Sequence, residues 1–280
     1  MDRNAQKSLP KGLFPYENQV AGHNANPIGV LKSEDGSILK PLLKEPQSSC
    51  EVKFYEKINS DTGILGDLRK FTPCFKGTMN LTINDKDIKF LKLEDMTNGA
   101  VKPCVMDVKI GSRTWAPDAS ETKRQTEDRK YMSTKQAYGF CIPGYKVYNL
   151  SKNNISIFSK ELGKNLTPEE VPTVFKDFLN HSSGHMGFLI DRYLPVMMEM
   201  LEWWRLQKVV HLYSSSLLFF YDAHRLEAMN KESTQDCNAW IKIRMIDFAH
   251  AVPAESIDSN YTDGLSRLIE LLKKLRLEYK

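Results

Sequence analysis

The chain has 280 residues, of which 41% are hydrophobic and 26% are charged, a balance typical of a globular protein with one large domain or two lobes. Its formal net charge of +4 does not indicate a nucleic-acid-binding protein, yet it is compatible with a basic pocket for a polyanion. Five scattered cysteines without a C-x-x-C pair suggest neither a disulfide framework nor a zinc ribbon. Because the N-terminus lacks a signal-peptide pattern and no apolar run reaches membrane-spanning length, we expect an intracellular protein.

The first third of the chain predicts an antiparallel sheet that carries one helix. Residues 1–18 are polar and are expected to form a flexible leader. Asp35-Gly36 predicts the turn of a hairpin whose second strand ends near Lys40. Residues 51–60 have helical spacing with Glu51 in the first turn, and residues 71–96 alternate as two or three strands. These elements define a predicted N-lobe over residues 19–98.

The remainder, residues 99–280, predicts a C-lobe of mixed helices and strands. Its predicted elements are, in chain order, a strand at 103–111, a short polar helical segment at 117–137, a strand pair at 139–150, a helix beginning with Thr167-Pro168-Glu169-Glu170, a long helix at 187–210 that is kinked or starts at Pro195, strands at 214–223 and 239–252, and a final amphipathic helix. The predicted fold class is α+β with two lobes, as in kinases that hold a nucleotide between lobes.

Two pairs of residues and one single residue are charged in segments of the chain that are otherwise apolar. Lys40 and Glu51 follow the order of the strand lysine and helix glutamate of protein kinases, although such residues are more often simply exposed. Asp107 and Lys109 lie two positions apart in one predicted strand. Asp247 interrupts an apolar strand, where a carboxylate requires a compensating cation such as Mg²⁺. The alternative for Asp247 is a strand-end carboxylate that caps a turn.

A basic segment follows the Asp107/Lys109 strand, and its cations could bind phosphates or form a solvated face: Lys123, Arg124, Arg129 and Lys130, with Lys146 further on. His250 could contact a phosphate or be a buried structural histidine, and the residues alone favour the structural role. His181 and His185 have a metal-like spacing but no third ligand, so we interpret them as part of a solvated turn. Neither G-x-G-x-x-G nor the P-loop motif occurs.

These motifs together resemble the inositol polyphosphate kinase family. "PCVMDVKIG" at 103–111 fits its P-x-x-x-D-x-K-x-G signature, "SSLLFFYD" resembles its Ser-Leu-Leu segment, and "MIDFAH" resembles its metal-binding Asp-Phe motif. The three occur in the family's order, and the resemblance extends from about Gln19 to the final helix. It implies an ATP- and magnesium-dependent kinase that phosphorylates ring hydroxyls of soluble inositol phosphates.

The resemblance also implies roles for individual residues. ATP would be held by Lys40, Glu51, the backbone of Glu94 and Met96, Asp107 and Asp247. Mg²⁺ would be bound by Asp247, and Ser216 would shape the metal site. Inositol phosphates would be bound by Lys109, Lys123, Lys130, Lys146 and His250, with Lys44 as a weaker candidate. Lys109, Asp107 and Asp247 would form the catalytic group. Thr126 and Glu127 replace glutamines that the family often has, and an acid beside a phosphorylated ligand is unfavourable.

Three functions remain open on these residues. By resemblance, the short segment after the signature separates the chain from trisphosphate 3-kinases. The compact stretch after "DFAH", with "APDAS" and "QVAGH", favours family members that convert inositol tris- and tetrakisphosphates towards the pentakisphosphate, with phosphoinositide headgroups as a further candidate substrate. The alternatives are a kinase that makes pyrophosphates from the hexakisphosphate, and a non-catalytic module that binds inositol phosphates or phosphoinositides. A choline- or aminoglycoside-type kinase is disfavoured because H-x-D-x-x-x-x-N is missing. We expect a monomer with no nucleic-acid partner.

Overall fold

A computed structural model describes residues 9–21, 28–229 and 237–278. Over these residues the strands are β1 (Leu13–Pro15), β2 (Leu31–Ser33), β3 (Ser37–Pro41), β4 (Phe75–Ile83), β5 (Lys86–Glu94), β6 (Pro103–Ile110), β7 (Phe140–Asn149), β8 (Asn154–Phe158), β9 (Val210–Leu212), β10 (Ser216–Asp222), β11 (Ile241–Ile246) and β12 (Ala251–Pro253). The helices are α1 (Gln47–Ser60), α2 (Glu121–Arg129), α3 (Met132–Tyr138), α4 (Lys160–Asn165), α5 (Val171–Phe178), α6 (Met186–Leu206), α7 (Ala223–Ala228) and α8 (Ser259–Glu278). The predicted α+β class is confirmed.

The first sheet has the strand order β1-β2-β3-β5-β4 and is antiparallel. The predicted hairpin is confirmed, with Gly36 at φ +74° in its turn, a conformation that glycine adopts without steric cost. A second tight turn joins β4 to β5 through Asn84 and Asp85, both at positive φ, as two-residue hairpins require. This sheet therefore delivers Lys40 near the end of its central strand.

The second sheet has the order β11-β10-β6-β7-β8 and is also antiparallel. Its register sets Ser216 opposite Lys109 and Leu218 opposite Asp107. Helices α6 and α8 bury their apolar faces in the main core, and the five residues predicted for the buried face of the last helix are all buried: Leu265, Leu268, Ile269, Leu272 and Leu275. A small third sheet pairs β12 with β9.

Several predicted boundaries were wrong for local reasons. Within the leader expected over 1–18, Leu13–Pro15 pairs with Leu31–Ser33 as an edge strand, because its backbone groups find partners there. The pair predicted at 139–150 is one ten-residue strand, β7, whose partner is the following segment. The predicted division between lobes at 98/99 stays a prediction.

Helix starts also differ from the sequence expectation. Helix α1 begins at Gln47, so Glu51 lies beyond its first turn. Residues 168–170 form a turn in which Glu170 accepts a hydrogen bond from the Thr167 amide at 3.0 Å, and α5 begins only at Val171. Helix α6 begins at Met186 and continues through Pro195. None of the described helices is long and apolar enough to cross a bilayer.

Candidate active site

Lys40 joins the two sheets through a pair of carboxylates. Its Nζ atom lies 2.8 Å from Glu51 Oε1 on α1 and 2.6 Å from Asp247 Oδ1, just after β11. Burial alone would lower the pKa of Lys40, but the charges of Asp247 and Glu51 outweigh it and raise the pKa above its usual value. The lysine is therefore a fixed cation, and Glu51, whose side chain is only 4% exposed, holds it in place.

Asp247 owes its position to an abrupt change of backbone direction. It follows the last residue of β11 with φ +64°, a left-handed conformation that asparagine and aspartate tolerate better than most residues. Burial would raise the pKa of its carboxyl, whereas Lys40 and Lys109 lower it, and the net direction is downward. The amide of Phe248 lies 3.3 Å from Glu51 Oε1, which fixes the turn against α1. Asp247 is thus an ionised carboxylate that faces both lysines.

Asp107 and Lys109 occupy the neighbouring strand β6. Asp107 is buried, and burial raises the pKa of its carboxyl to about 6, with Lys109 opposing that shift. The Lys109 ammonium donates to the carbonyl and hydroxyl of Ser214 at 2.7 and 2.8 Å. Side chains alternate across a strand with period two, so Asp107 and Lys109 face the same side of β6. The pairing of β6 with β7 shifts register between them, but the two side chains still share one face.

The donor set of this cluster fits a cation that brings its own phosphate ligands. Asp107 Oδ1 and the hydroxyl of Ser216 are buried without a hydrogen bond of normal geometry, although Ser216 is close enough to lower the pKa of Asp107. Both groups are therefore able to bind ligand atoms. No group of three or more His, Cys, Asp or Glu side chains among the described residues could hold a metal by itself. Mg²⁺ suits such a site, because it commonly takes one or two carboxylates together with phosphates and water.

A buried apolar cluster lies around Val105, two residues before Asp107 on β6. Met96, Val105 and Phe220 are buried together, and Val20 and Leu218 pack against them. Glu94 lies at the start of the connection between the sheets, where its carboxylate accepts from Lys242 at 3.0 Å. The predicted contact of the Glu94 and Met96 backbones with ATP stays a prediction.

The basic segment predicted after β6 forms α2, and Ser120 caps it by accepting from the Lys123 amide. Burial and the nearby charges of Lys123 and Lys109 lower the pKa of His250, so all three groups act on one another. Lys130 pairs with Glu127 at 2.7 Å. Lys123, Lys109 and Glu127 therefore lie near His250, and Lys130 joins this cationic cluster through its ion pair with Glu127.

Lys160 is a further member of this cationic cluster that the sequence did not reveal. It lies at the start of α4, and burial together with Lys164, Lys130 and Lys109 lowers its pKa. Helix α4 can approach β7 closely because Gly163 has no side chain; a Cβ atom there would lie 2.2 Å from the Ile142 carbonyl oxygen. That close approach could not be read from the spacing of residues.

Two predicted phosphate ligands are not in this cluster. Lys146 lies on β7 opposite Val105, five residues from Cys141, which is opposite Lys109; that is about 16 Å along a strand. Its ammonium contacts Asn18 Oδ1 at 3.2 Å, and its assignment to the inositol phosphate stays a prediction. Lys44 is exposed before α1, where its backbone pairs with Ser48. His181 and His185 lie at a short helical turn between α5 and α6.

The fold and this cluster define the class of protein. The family model for inositol polyphosphate kinase matches residues 90–273, and the chain belongs to that family, as the motifs predicted. Among its relatives is the human inositol polyphosphate multikinase, 32% identical over 216 residues, which cover 75% of this chain and 51% of the relative. Inositol polyphosphate multikinase beta of Arabidopsis thaliana is 29% identical, with 92% of each chain covered.

Solved structures show the same architecture. An inositol phosphate multikinase structure superposes with a TM-score of 0.65 at 28% identity, covering 80% of this chain and 99% of that one. The Saccharomyces cerevisiae multikinase Ipk2, solved with ADP and Mn²⁺, gives a TM-score of 0.67 at 24% identity, covering 85% and 98%, and this likeness concerns the fold alone. The chain spans about half the length of the human and rodent relatives it matches.

Proposed function

We propose that this protein is an ATP- and magnesium-dependent inositol polyphosphate kinase that acts on tris- and tetrakisphosphates. The observation that carries the proposal is the convergence of Lys40, Glu51 and Asp247 beside Asp107 and Lys109, with distances of 2.8 and 2.6 Å within the ion triad. Phosphoryl transfer needs cations on the phosphates, a carboxylate for the metal and a positioned acceptor. The cluster offers a candidate for each requirement.

Each residue would have a separate task. Lys40 would bind the ATP phosphates while Glu51 holds its side chain in place. Asp107 would accept hydrogen bonds from the ribose hydroxyls. Asp247, with Ser216 beside it, would hold Mg²⁺, which when bound neutralises phosphate charge. Lys109 would move from Ser214 to stabilise charge on the transferred group.

The acceptor, an inositol phosphate, would bind at the cationic cluster formed by residues of α2 and α4 together with Lys109 and His250. Lys123, Lys130 and His250 are part of the predicted set, and Lys160 joins them because its charge acts on Lys109 and Lys130. Flexible lysines suit a ring that binds in more than one orientation better than a rigid guanidinium fork does. This supports successive phosphorylation of one ring.

The remaining expectations are part of the same proposal. The same cationic cluster also suits a phosphoinositide headgroup. We also propose a monomer. A place inside the cell is supported by the free thiols of Cys50, Cys74, Cys104 and Cys141, because such thiols are typical of reducing compartments. The hexakisphosphate kinase and the non-catalytic binding module are the outcomes against which the test is designed.

The test incubates the purified chain with ATP and Mg²⁺ and, separately, inositol 1,4,5-trisphosphate, inositol hexakisphosphate or vesicles that contain phosphatidylinositol 4,5-bisphosphate. Products are separated by anion-exchange or thin-layer chromatography, and binding is measured in parallel by calorimetry. We expect stepwise formation of tetrakis- and pentakisphosphate. Pyrophosphates from the hexakisphosphate alone would assign the alternative kinase, and tight binding without turnover would assign the binding module.

A further inference from the structure

Arg113 lies between two aromatic rings at the border of the proposed acceptor site. Its guanidinium carbon is 4.7 Å from the centre of the Tyr213 ring and 4.9 Å from that of Trp115, and Nη2 donates to the Tyr213 hydroxyl at 2.5 Å. A guanidinium held over aromatic faces gains cation–π energy that a solvated surface arginine lacks. Arg113 is therefore fixed by three contacts at once.

The backbone of Arg113 is held equally firmly. Its amide donates to Asn260 Oδ1 at 2.9 Å, and its carbonyl accepts from Asn260 Nδ2 at 3.0 Å. Gly111, two residues earlier, has φ +102°, and a Cβ atom there would lie 2.3 Å from the same amide group. The start of α8 thus anchors the segment that leads from β6 to α2.

One side of the Arg113 stack reaches α2. The Trp115 indole donates to Asp128 Oδ1 at 2.7 Å, and Arg124 lies over the same ring at 4.7 Å. Both partners belong to α2, which also carries Lys123 and ends next to Lys130. Because α2 has no buried residue of its own, its position depends on contacts of this kind rather than on core packing.

The other side of the stack reaches the proposed catalytic lysine. Tyr213 donates its amide to the His250 carbonyl at 3.2 Å, and the next residue, Ser214, accepts from Lys109 at 2.7 and 2.8 Å. Ser214 has φ +60°, so the peptide after Tyr213 is held in an uncommon conformation. A shift of Tyr213 would move the groups that hold both Lys109 and His250.

We propose that Arg113 is a positioning residue that couples α2 to the Tyr213–Ser214 segment, and so sets the acceptor cations in register with Lys109. This inference rests on the proposed function for its kinetic consequence, but the coupling itself is a property of the structure. Arg113 contacts neither the residues proposed to bind ATP nor the apolar cluster around Met96. Its effect is therefore confined to the acceptor side of the reaction.

The test compares Arg113→Lys with Arg205→Lys, a matched change of an exposed arginine that pairs with Glu202 on α6. The lysine keeps the charge but loses the planar stacking and the fork geometry. In Arg113→Lys we expect the KM for inositol trisphosphate to rise about tenfold and kcat to fall, while the KM for ATP changes less than twofold. Arg205→Lys should match the unmodified chain in all three quantities.

Amide hydrogen exchange supplies a readout that needs no kinase activity. In Arg113→Lys, exchange should accelerate over residues 121–130 and 213–215 but not over β3 or α1. If this happens in a chain without turnover, the coupling stands and the proposed function fails. Unchanged amide exchange in Arg113→Lys would overturn the role of Arg113. So would exchange that accelerates throughout the chain together with a KM for ATP that rises as much as the KM for inositol trisphosphate.

Discussion

Asp107 combines burial with an ionisable group at the centre of the site. Its folded-state pKa, about 6, lies above the ordinary value of 3.8, so the folded protein binds a proton there more readily than the unfolded chain does. The ionised carboxylate therefore destabilises the fold above pH 6, and this penalty disappears as the pH falls from 6 towards 3.8. The cost is tolerable if ribose hydroxyls use the unpartnered oxygen.

Asp107→Asn should raise the stability of the ligand-free protein at pH 8 by roughly 2 kcal/mol, and about half of that gain should remain at pH 5. The KM for ATP should rise in the same variant. Thermal unfolding of both proteins at pH 8 and pH 5 gives the comparison. An equal change in the unfolding midpoint at the two pH values would contradict the burial argument.

Glu127 is the acid among the acceptor cations, and it neutralises Lys130 at 2.7 Å. Glu127→Gln removes that competition and a like charge that opposes phosphate. We expect the KM for inositol trisphosphate to fall about threefold to tenfold at low ionic strength, and the difference to shrink as salt screens the site. Steady-state kinetics at two salt concentrations measures this.

Glu121→Gln is the matched control, because Glu121 lies on the same helix and its carboxylate accepts from Gln125 instead of pairing with a lysine. It should leave the KM within a factor of two. A higher KM in Glu127→Gln would mean that Glu127 binds an acceptor hydroxyl directly.

At the scale of elements, the site depends on how closely α4 approaches β7. Gly163→Ala places a methyl group against the Ile142 carbonyl, so α4 must move away and Lys160 with it. We expect a loss of stability of about 2 kcal/mol and a higher KM for inositol trisphosphate. Denaturant unfolding and steady-state kinetics check the two effects.

Gly29→Ala is the control for this change, since its added Cβ would meet only Gln19 Oε1 at 3.8 Å. It should unfold at the same denaturant concentration as the unmodified chain. If Gly163→Ala did so too, the contact of α4 with β7 would not be as tight as the structure indicates.

Elements with strong local signals could be predicted from the sequence, and those fixed by distant contacts could not. Asp35-Gly36 and the apolar face of α8 correctly predicted a hairpin and a helix, because turn chemistry and periodicity act locally. The edge strand at Leu13–Pro15 carries no such signal, since its pairing with β2 is tertiary. Likewise, the sequence grouped Lys146 with the basic segment but could not show that the strand register places it opposite Val105 rather than opposite Lys109.

The candidate site divides in the same way. Lys40, Glu51, Asp107, Lys109 and Asp247 could be selected because charge in apolar strands is unusual, and the structure brings them together. Lys160 and Arg113 could not, because a lysine on a short polar helix and an arginine after a strand are ordinary in sequence. Their importance comes from the glycine contact and the aromatic stack, which only the folded chain shows.

At the scale of the whole molecule, the Lys40 ion triad connects the two sheets. Lys40→Met should destabilise the protein by about 3–5 kcal/mol, since it leaves the buried Glu51 carboxylate unpaired. Lys40→Met combined with Glu51→Gln should recover part of that loss. Denaturant unfolding of the single and double variants measures the coupling, and a double variant less stable than Lys40→Met alone would contradict it.

The central claim is that these two sheets assemble a phosphotransferase site around Asp247. The most direct measurement follows radiolabelled γ-phosphate from ATP into inositol trisphosphate in the presence of Mg²⁺, for the unmodified chain and for Asp247→Asn, with equal folding confirmed by circular dichroism. We predict label in the tetrakis- and then the pentakisphosphate, and at least a hundredfold slower transfer in Asp247→Asn. Undiminished transfer by the folded variant, or none by the unmodified chain, would contradict the account.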